Sequence, residues 1–171
     1  MSYTTNRQPQ GMLEAPEVFL REGMIAELVA INDYSHFINA TDNKEVKEIF
    51  YHIMEEEKEH YGKFLTALND IDKEEALIAK RVKEELKFSP KEKLKEEFHG
   101  KTAKNNILVD IREAIKGELE AIILYQSFIA DLDEEKLISV IKDIIIDEKE
   151  HVEELTTVLT MLDRDGYGPL K

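Results

Sequence analysis

The chain contains no cysteine. Disulfides, zinc–thiolate sites and iron–sulfur clusters are therefore excluded, because each needs thiol chemistry. Glycine and proline are scarce, at 7 and 4 of 171 residues, while Glu, Lys, Leu, Ile and Ala dominate. That balance favours helices. Positive charge is also short: 23 Lys and Arg stand against 37 Asp and Glu, a net charge of -14. Such a surface repels phosphate backbones, which argues against nucleic acid as a partner, and it suits attraction of cations. No apolar run approaches the length of a membrane span, so no membrane partner is expected. The first twenty residues lack the continuous apolar core of a signal peptide, which leaves the cytoplasm as the default compartment.

What remains is a chain long enough to bury a real core, expected as a single domain over 1–171. Residues 1 to about 14 read as an irregular arm. Pro16 suits the first turn of a helix that runs to about Ala40, with Phe19, Ile25, Leu28, Ile31, Phe37 and Ile38 at helical spacing. "TDN" at 41–43 is a break and cap, and a second helix runs to about Asp70, where "NDID" breaks the chain again. Residues 73–104 form a charged connector: a helix over "KEEALIAKRVKEEL", a short one after Ser-Pro in "FSPKEKLKEEF", then the loop "HGKTAKNN". A long helix follows from about Asn106 to Ala130. "DLD" at 131–133 caps a last helix that ends near Asp163, and the tail "RDGYGPLK" reads as a mobile end. No strand signal competes with this pattern.

The chain is an internal duplication. Residues 21–72, shifted by 91 positions onto 112–163 without a gap, are identical at 18 of 52 positions. The repeats span about 16–72 and about 105–163. Each is a helix pair that cannot bury its apolar faces alone, so the expected fold is all-α, one four-helix bundle of two pairs related by a pseudo-twofold axis. Parallel second and third long helices would require the connector to cross the bundle.

The identities include Glu27/Glu118, Glu57/Glu148 and His60/His151. In each repeat a Glu on the first helix precedes a Glu-x-x-His on the second by thirty residues. Glu57 and His60 share one helix face, as do Glu148 and His151. Four carboxylates and two imidazoles form the known ligand pattern of ferritin-like di-iron and di-manganese proteins. The carboxylates neutralise and bridge two divalent cations, and one imidazole caps each. Mixed oxygen and nitrogen ligands suit iron or manganese. At about 100° per residue, Glu55 and Glu59 lie about 160° from Glu57 and face water, whereas His60 lies about 60° away.

Tyr34 and Tyr125 stand seven residues after Glu27 and Glu118, on the same face two turns on. Each could hydrogen-bond a ligand carboxylate or lend an electron. Core packing with a satisfied hydroxyl explains them equally well. His36 and His52 fall roughly opposite the ligand faces and His99 lies in the connector, so none of the three is given a role.

At "IAELVAINDY" (25–34) and "EEEKEHYGKF" (55–64) the chain resembles the encapsulated ferritin-like proteins, and more widely the ferritin and rubrerythrin superfamily. The resemblance covers both repeats. It implies that Glu27, Glu57, His60, Glu118, Glu148 and His151 bind two iron ions, that Tyr34 and Tyr125 support them, and that Fe(II) is oxidised by dioxygen or hydrogen peroxide. It also raises an encapsulin shell as a partner, and a homodimer is allowed. Two departures stand out. Encapsulated ferritins build the site across two chains, whereas this chain carries both halves. Rubrerythrins usually add a glutamate one turn after the third-helix ligand and a cysteine-bearing rubredoxin module; here that position is Ala121 and cysteine is absent.

Three functions follow. The first is an iron oxidoreductase that turns Fe(II) into Fe(III) for detoxification or storage. The second is a rubrerythrin-like peroxide reductase fed by an external electron donor, with a di-manganese catalase as a variant. The third is a non-enzymatic bundle, an interaction module that is either metal-stabilised or metal-free. Burying four carboxylates without metal would be unfavourable unless they were protonated.

Overall fold

A computed structural model describes residues 15–86 and 106–167. The arm at 1–14, the second connector helix, the loop as far as residue 105 and the last four residues lie outside the described residues. Five helices, and no strand, are found in the described residues: α1 (Pro16–Ala40), α2 (Lys44–Ile71), α3 (Lys73–Glu85), α4 (Ile107–Asp131) and α5 (Glu135–Leu162).

The helix ends follow from local chemistry. Asn43 accepts a hydrogen bond from the Val46 amide and Asn106 from the Leu108 amide, each satisfying a donor that the first helical turn leaves free. The break expected at "NDID" is narrower. α2 continues through Ile71, and Asp72 alone leaves the helix. Its amide closes α2 on the Leu68 carbonyl while its side chain caps α3 at Glu75, so one residue serves both ends. The cap expected within "DLD" shifts to Glu134, which makes no side-chain cap bond. Leu132, only 6% exposed, fastens that link by packing instead. The tail is tied further than expected: Tyr167 hydrogen-bonds to Asp163 and accepts from Arg112 at 3.0 Å.

The links at 41–43 and 132–134 are too short for anything but antiparallel neighbours, so α1 pairs with α2 and α4 with α5. The duplication repeats even in a surface clamp. Arg21 meets Asp72 at 2.8 Å and Arg112 meets Asp163 at 3.4 Å, each tying the start of one helix to the end of its partner. Exposed pairs of this kind add little stability, but they sit at one register in both repeats. Across the pairs, Tyr34 reaches Glu118 and Tyr125 reaches Glu27, so α1 and α4 are antiparallel. His60 reaches Asp147 and His151 reaches Glu56, so α2 and α5 are too. α2 and α4 therefore run parallel, so the end of α2 and the start of α4 lie at opposite ends of the bundle.

The core divides into two apolar blocks. One is built on Phe19, Phe64, Tyr125, Phe128 and Ile141, the other on Tyr34, Phe50, Ile53, Met54 and Ile111. The polar layer described next lies between them. Gly23 has one structural reason: a Cβ there would stand 2.8 Å from the buried Phe64 ring.

Candidate metal centre

Glu27, Glu57, His60, Glu118, Glu148 and His151 are all at most 3% exposed. Helical spacing aims each at the bundle axis, between the apolar blocks above and below. Glu55 and Glu59, the acids expected on the outer face, are exposed. All six expected residues meet in one layer. His60 Nδ1 lies 3.2 Å from Glu57 Oε2 and 3.3 Å from Glu148 Oε1. His151 Nδ1 lies 3.4 Å from Glu148 Oε2 and 3.5 Å from Glu57 Oε1.

Two overlapping groups emerge. Glu27, Glu57, His60 and Glu148 offer ligand atoms within 4.8 Å of one another, and so do Glu57, Glu118, Glu148 and His151. Glu57 and Glu148 belong to both. Each group takes one private Glu and one private His from the same repeat and shares two carboxylates, one from each repeat. Each group would hold one cation, and Glu57 and Glu148 are common to both.

The electrostatics without a cation are unfavourable. Burial, with Glu148 and Glu118 nearby, pushes the Glu57 carboxyl up to about 7. Burial and the charge of Glu118 push Glu148 up to about 7 as well. Burial, then Glu57, raises Glu27 well above the ordinary carboxylate range. Burial acts upward on Glu118 too, but the nearby His151 and Glu148 groups, with the Tyr34 hydroxyl, outweigh it and hold the group below its ordinary value. Burial alone would lower the histidines. Their carboxylate partners outweigh it, raising His60 to about 11 and His151 to about 12. Protons therefore do the neutralising that cations would otherwise do.

The donor set fits a metal on a second count. Glu57 Oε1, both Glu148 carboxylate oxygens and His151 Nδ1 are buried without a hydrogen-bond partner. Buried polar atoms are nearly always satisfied, and these four face the shared centre. Four oxygen donors with two imidazoles and no thiolate match iron or manganese.

Two residues escaped the sequence reading. Each histidine turns Nδ1 to the carboxylates and its far nitrogen to another acid across the bundle. His60 Nε2 lies 3.0 Å from Asp147, and His151 Nε2 lies 2.9 Å from Glu56. Glu56 and Asp147 are equivalent under the 91-residue shift and immediately precede Glu57 and Glu148. The signal was present as an acid kept in kind but not in identity. An acid on the outer nitrogen sets the ring's tautomer and orientation and raises its basicity as a ligand.

The tyrosines also cross between repeats: the Tyr34 hydroxyl donates to Glu118 and that of Tyr125 to Glu27. Each thus holds the private carboxylate of the other repeat. Both rings also pack in aromatic clusters, Tyr34 with Phe37 and Phe50, Tyr125 with Phe64 and Phe128. Packing and hydrogen bonding, posed as alternatives, coexist. His36 is exposed, His52 lies 3.5 Å from Glu56 at the surface, and His99 is outside the described residues.

Comparison with known proteins gives the family and the fold. The family model described as Rubrerythrin matches residues 18–107, just over half of the chain. The chain is 41% identical over 69 residues to the encapsulin nanocompartment cargo protein EncC of Myxococcus xanthus, covering 40% of this chain and 53% of that protein. It is 37% identical over 68 residues to a ferritin-like–encapsulin shell fusion protein of Pyrococcus furiosus, covering 40% of this chain and 20% of that one. The matched stretch thus spans about half of one relative and a fifth of the other. Among solved structures, a two-domain protein with DJ-1/ThiJ/PfpI-like and ferritin-like domains from Anabaena variabilis superposes with a TM-score of 0.69 at 14% identity, over 91% of this chain and 42% of that one. KatB, a manganese catalase from Anabaena, superposes with a TM-score of 0.62 at 19% identity, over 99% of this chain and 86% of that one. At these identities the likeness is one of fold. Among the described residues no helix is long and apolar enough to cross a membrane.

Proposed function

The chain belongs to the rubrerythrin family, and from that premise we propose that it is a ferroxidase, with Fe(II) as substrate and dioxygen or peroxide as oxidant. The observation that carries this reading is the pair of ligand groups sharing Glu57 and Glu148. Two ferrous ions held side by side can deliver two electrons together. One peroxide then takes up two electrons and two protons and leaves as two waters; one dioxygen, taking the same, leaves as peroxide. The residues proposed to hold the ions are Glu27, Glu57, His60, Glu118, Glu148 and His151. Both repeats contribute to one centre, so the reading treats residues 1–171 as one domain.

The chain's own groups have defined tasks in this reading. Glu57 and Glu148 shed protons as cations arrive, and His60 and His151 do the same at Nδ1. Asp147 and Glu56 hold the outer imidazole nitrogens. Tyr34 and Tyr125 hold Glu118 and Glu27 and are the nearest groups able to lend an electron. A peroxide reductase served by an external donor is the second reading, favoured by these two tyrosines and by the family itself. Association with an encapsulin shell belongs to the proposal only through the two relatives whose names carry that word.

The test is an aerobic Fe(II) titration followed by ferric absorbance, with wild type and Glu57→Ala/Glu148→Ala. A ferroxidase saturates at two irons per chain and keeps turning over, and the variant does neither. A single stoichiometric oxidation that restarts only with peroxide and a reductant would move the assignment to the peroxide reductase. Absence of iron binding by wild type would refute both.

A further inference from the structure

The ligand carboxylates are not enclosed on every side. A cavity of about 230 Å³ lies between α1 and α4, and all four carboxylates line it. Small residues, Ala26 and Ala30 on α1 and Ala114, Gly117 and Ala121 on α4, leave its space between the rings of Tyr34, Phe37 and Tyr125. Its rim carries Asp33, Glu113 and Lys116. Lys116 is engaged with Glu113 at 3.7 Å and Glu120 at 3.6 Å, so the rim is acidic on balance. Inside, Glu57 Oε1 and both Glu148 oxygens have no hydrogen-bond partner, and both residues are at most 1% exposed. On the α2–α5 side the carboxylates lie behind the rings of His60 and His151, whose outer nitrogens are tied to Asp147 and Glu56.

The opening breaks the symmetry of the duplication. The counterpart of Asp33 under the 91-residue shift is Leu124, which is buried, at 8% exposure. The counterpart of Ala114 is Gly23, where the Phe64 ring fills the space that a Cβ would need. The counterpart of Phe64 is Leu155, a smaller side chain. Where the two copies of one helix pair have diverged, the Phe64 ring packs on Gly23 and Tyr125 at one position, and the equivalent position at Ala114 lines the cavity whose rim carries two acids.

We propose that this seam is the path by which a divalent cation reaches the centre, with Asp33 and Glu113 drawing the ion in at the rim; the proposal rests on the reading of the centre as a cation site. The cavity has room for a hydrated ion. The rim acids act on arrival and not on final affinity, because neither belongs to the ligand groups.

The test is stopped-flow uptake of Co(II), read by its d–d absorbance and independent of any oxidation. Three variants are compared with wild type: Ala30→Leu as a plug, Asp33→Asn/Glu113→Gln at the rim, and Glu134→Gln/Asp143→Asn as an equal charge change on the α2–α5 face. The rim variant slows uptake by about 10-fold at low salt, the lower edge of electrostatic steering. That difference closes at about 0.5 M salt, where screening shortens the reach of the charges. The plug slows uptake at any salt, and both variants reach the wild-type stoichiometry. The control pair stays near the wild-type rate. Rates unchanged in the rim variant, or slowed equally in the control pair, would overturn the path while leaving the metal site intact. Wild type that takes up no Co(II) would overturn both. Uptake through the seam without Fe(II) oxidation would sustain the path and refute the ferroxidase.

Discussion

If Asp147 and Glu56 orient the histidines, neutralising either one weakens one metal position and spares the other. The perturbations are Asp147→Asn, which acts on His60, and Glu56→Gln, which acts on His151. Both substitutions keep side-chain shape and an acceptor oxygen, so what is lost is the charge that favours an Nε2–H and hence a lone pair at Nδ1. Removing such a supporting group usually lowers metal affinity by about 10- to 100-fold. The structure narrows this range. The contacts are short, at 3.0 and 2.9 Å, but the carboxylates are 35% and 38% exposed, and water screens them. The lower part of the range applies, about 10- to 30-fold, or about 1.4 to 2 kcal/mol. Asp147 also accepts from Lys63 at 3.0 Å, so Lys63→Met is the control that removes the lysine and leaves the histidine contact. A calorimetric Co(II) titration resolves the result: each variant shows one site at wild-type affinity and one weakened, and the lysine variant shows little change. Two wild-type sites in both variants would refute the orienting role, and with it the assignment of Nδ1 as the metal-facing nitrogen.

Other outcomes follow from the same layer. Glu57 and Glu148, raised to about 7 in the folded chain, bind more protons folded than unfolded between pH 4.5 and about 7; stability of chelator-treated protein therefore falls as pH rises through that window. His60 and His151, raised to about 11 and 12, extend the fall above pH 6.5, and melting curves should show it flattened in Glu57→Gln/Glu148→Gln. Loading with Co(II) at 100 times its dissociation constant should add about 2.7 kcal/mol per site. A melting temperature indifferent to the metal would support the non-enzymatic, metal-free bundle instead. Two glycines should respond with opposite sign to alanine. Gly23→Ala drives a Cβ to 2.8 Å from Phe64 and should destabilise by about 1–2 kcal/mol, whereas Gly62→Ala meets nothing within 4 Å and should stabilise by up to about 1 kcal/mol. Urea denaturation separates the two.

Much of this protein is legible from its sequence because a helix is a local structure and its periodicity is written in consecutive residues. Pro16, Asn43 and Asn106 mark helix starts through side-chain chemistry that acts within one turn. Glu27, Glu57, His60 and their counterparts stood out because the repeat restates them at one offset, and helical geometry alone places Glu57 with His60 inside and Glu55 with Glu59 outside. Asp72, by contrast, ends one helix and caps the next on its own, where the sequence suggested a four-residue break.

Tertiary structure decided whatever depends on residues far apart in the chain. Glu56 and Asp147 look like further surface acids on their own helices; only antiparallel packing of α2 on α5 sets each against the other repeat's histidine. The same packing, of α1 on α4, assigns Tyr34 to Glu118 and Tyr125 to Glu27 instead of to the acids of their own repeats. The raised carboxyls exist only because two apolar blocks close around four acids at once. Local sequence determines which face of a helix a side chain occupies, but which face of another helix it meets is set by how whole helices pack.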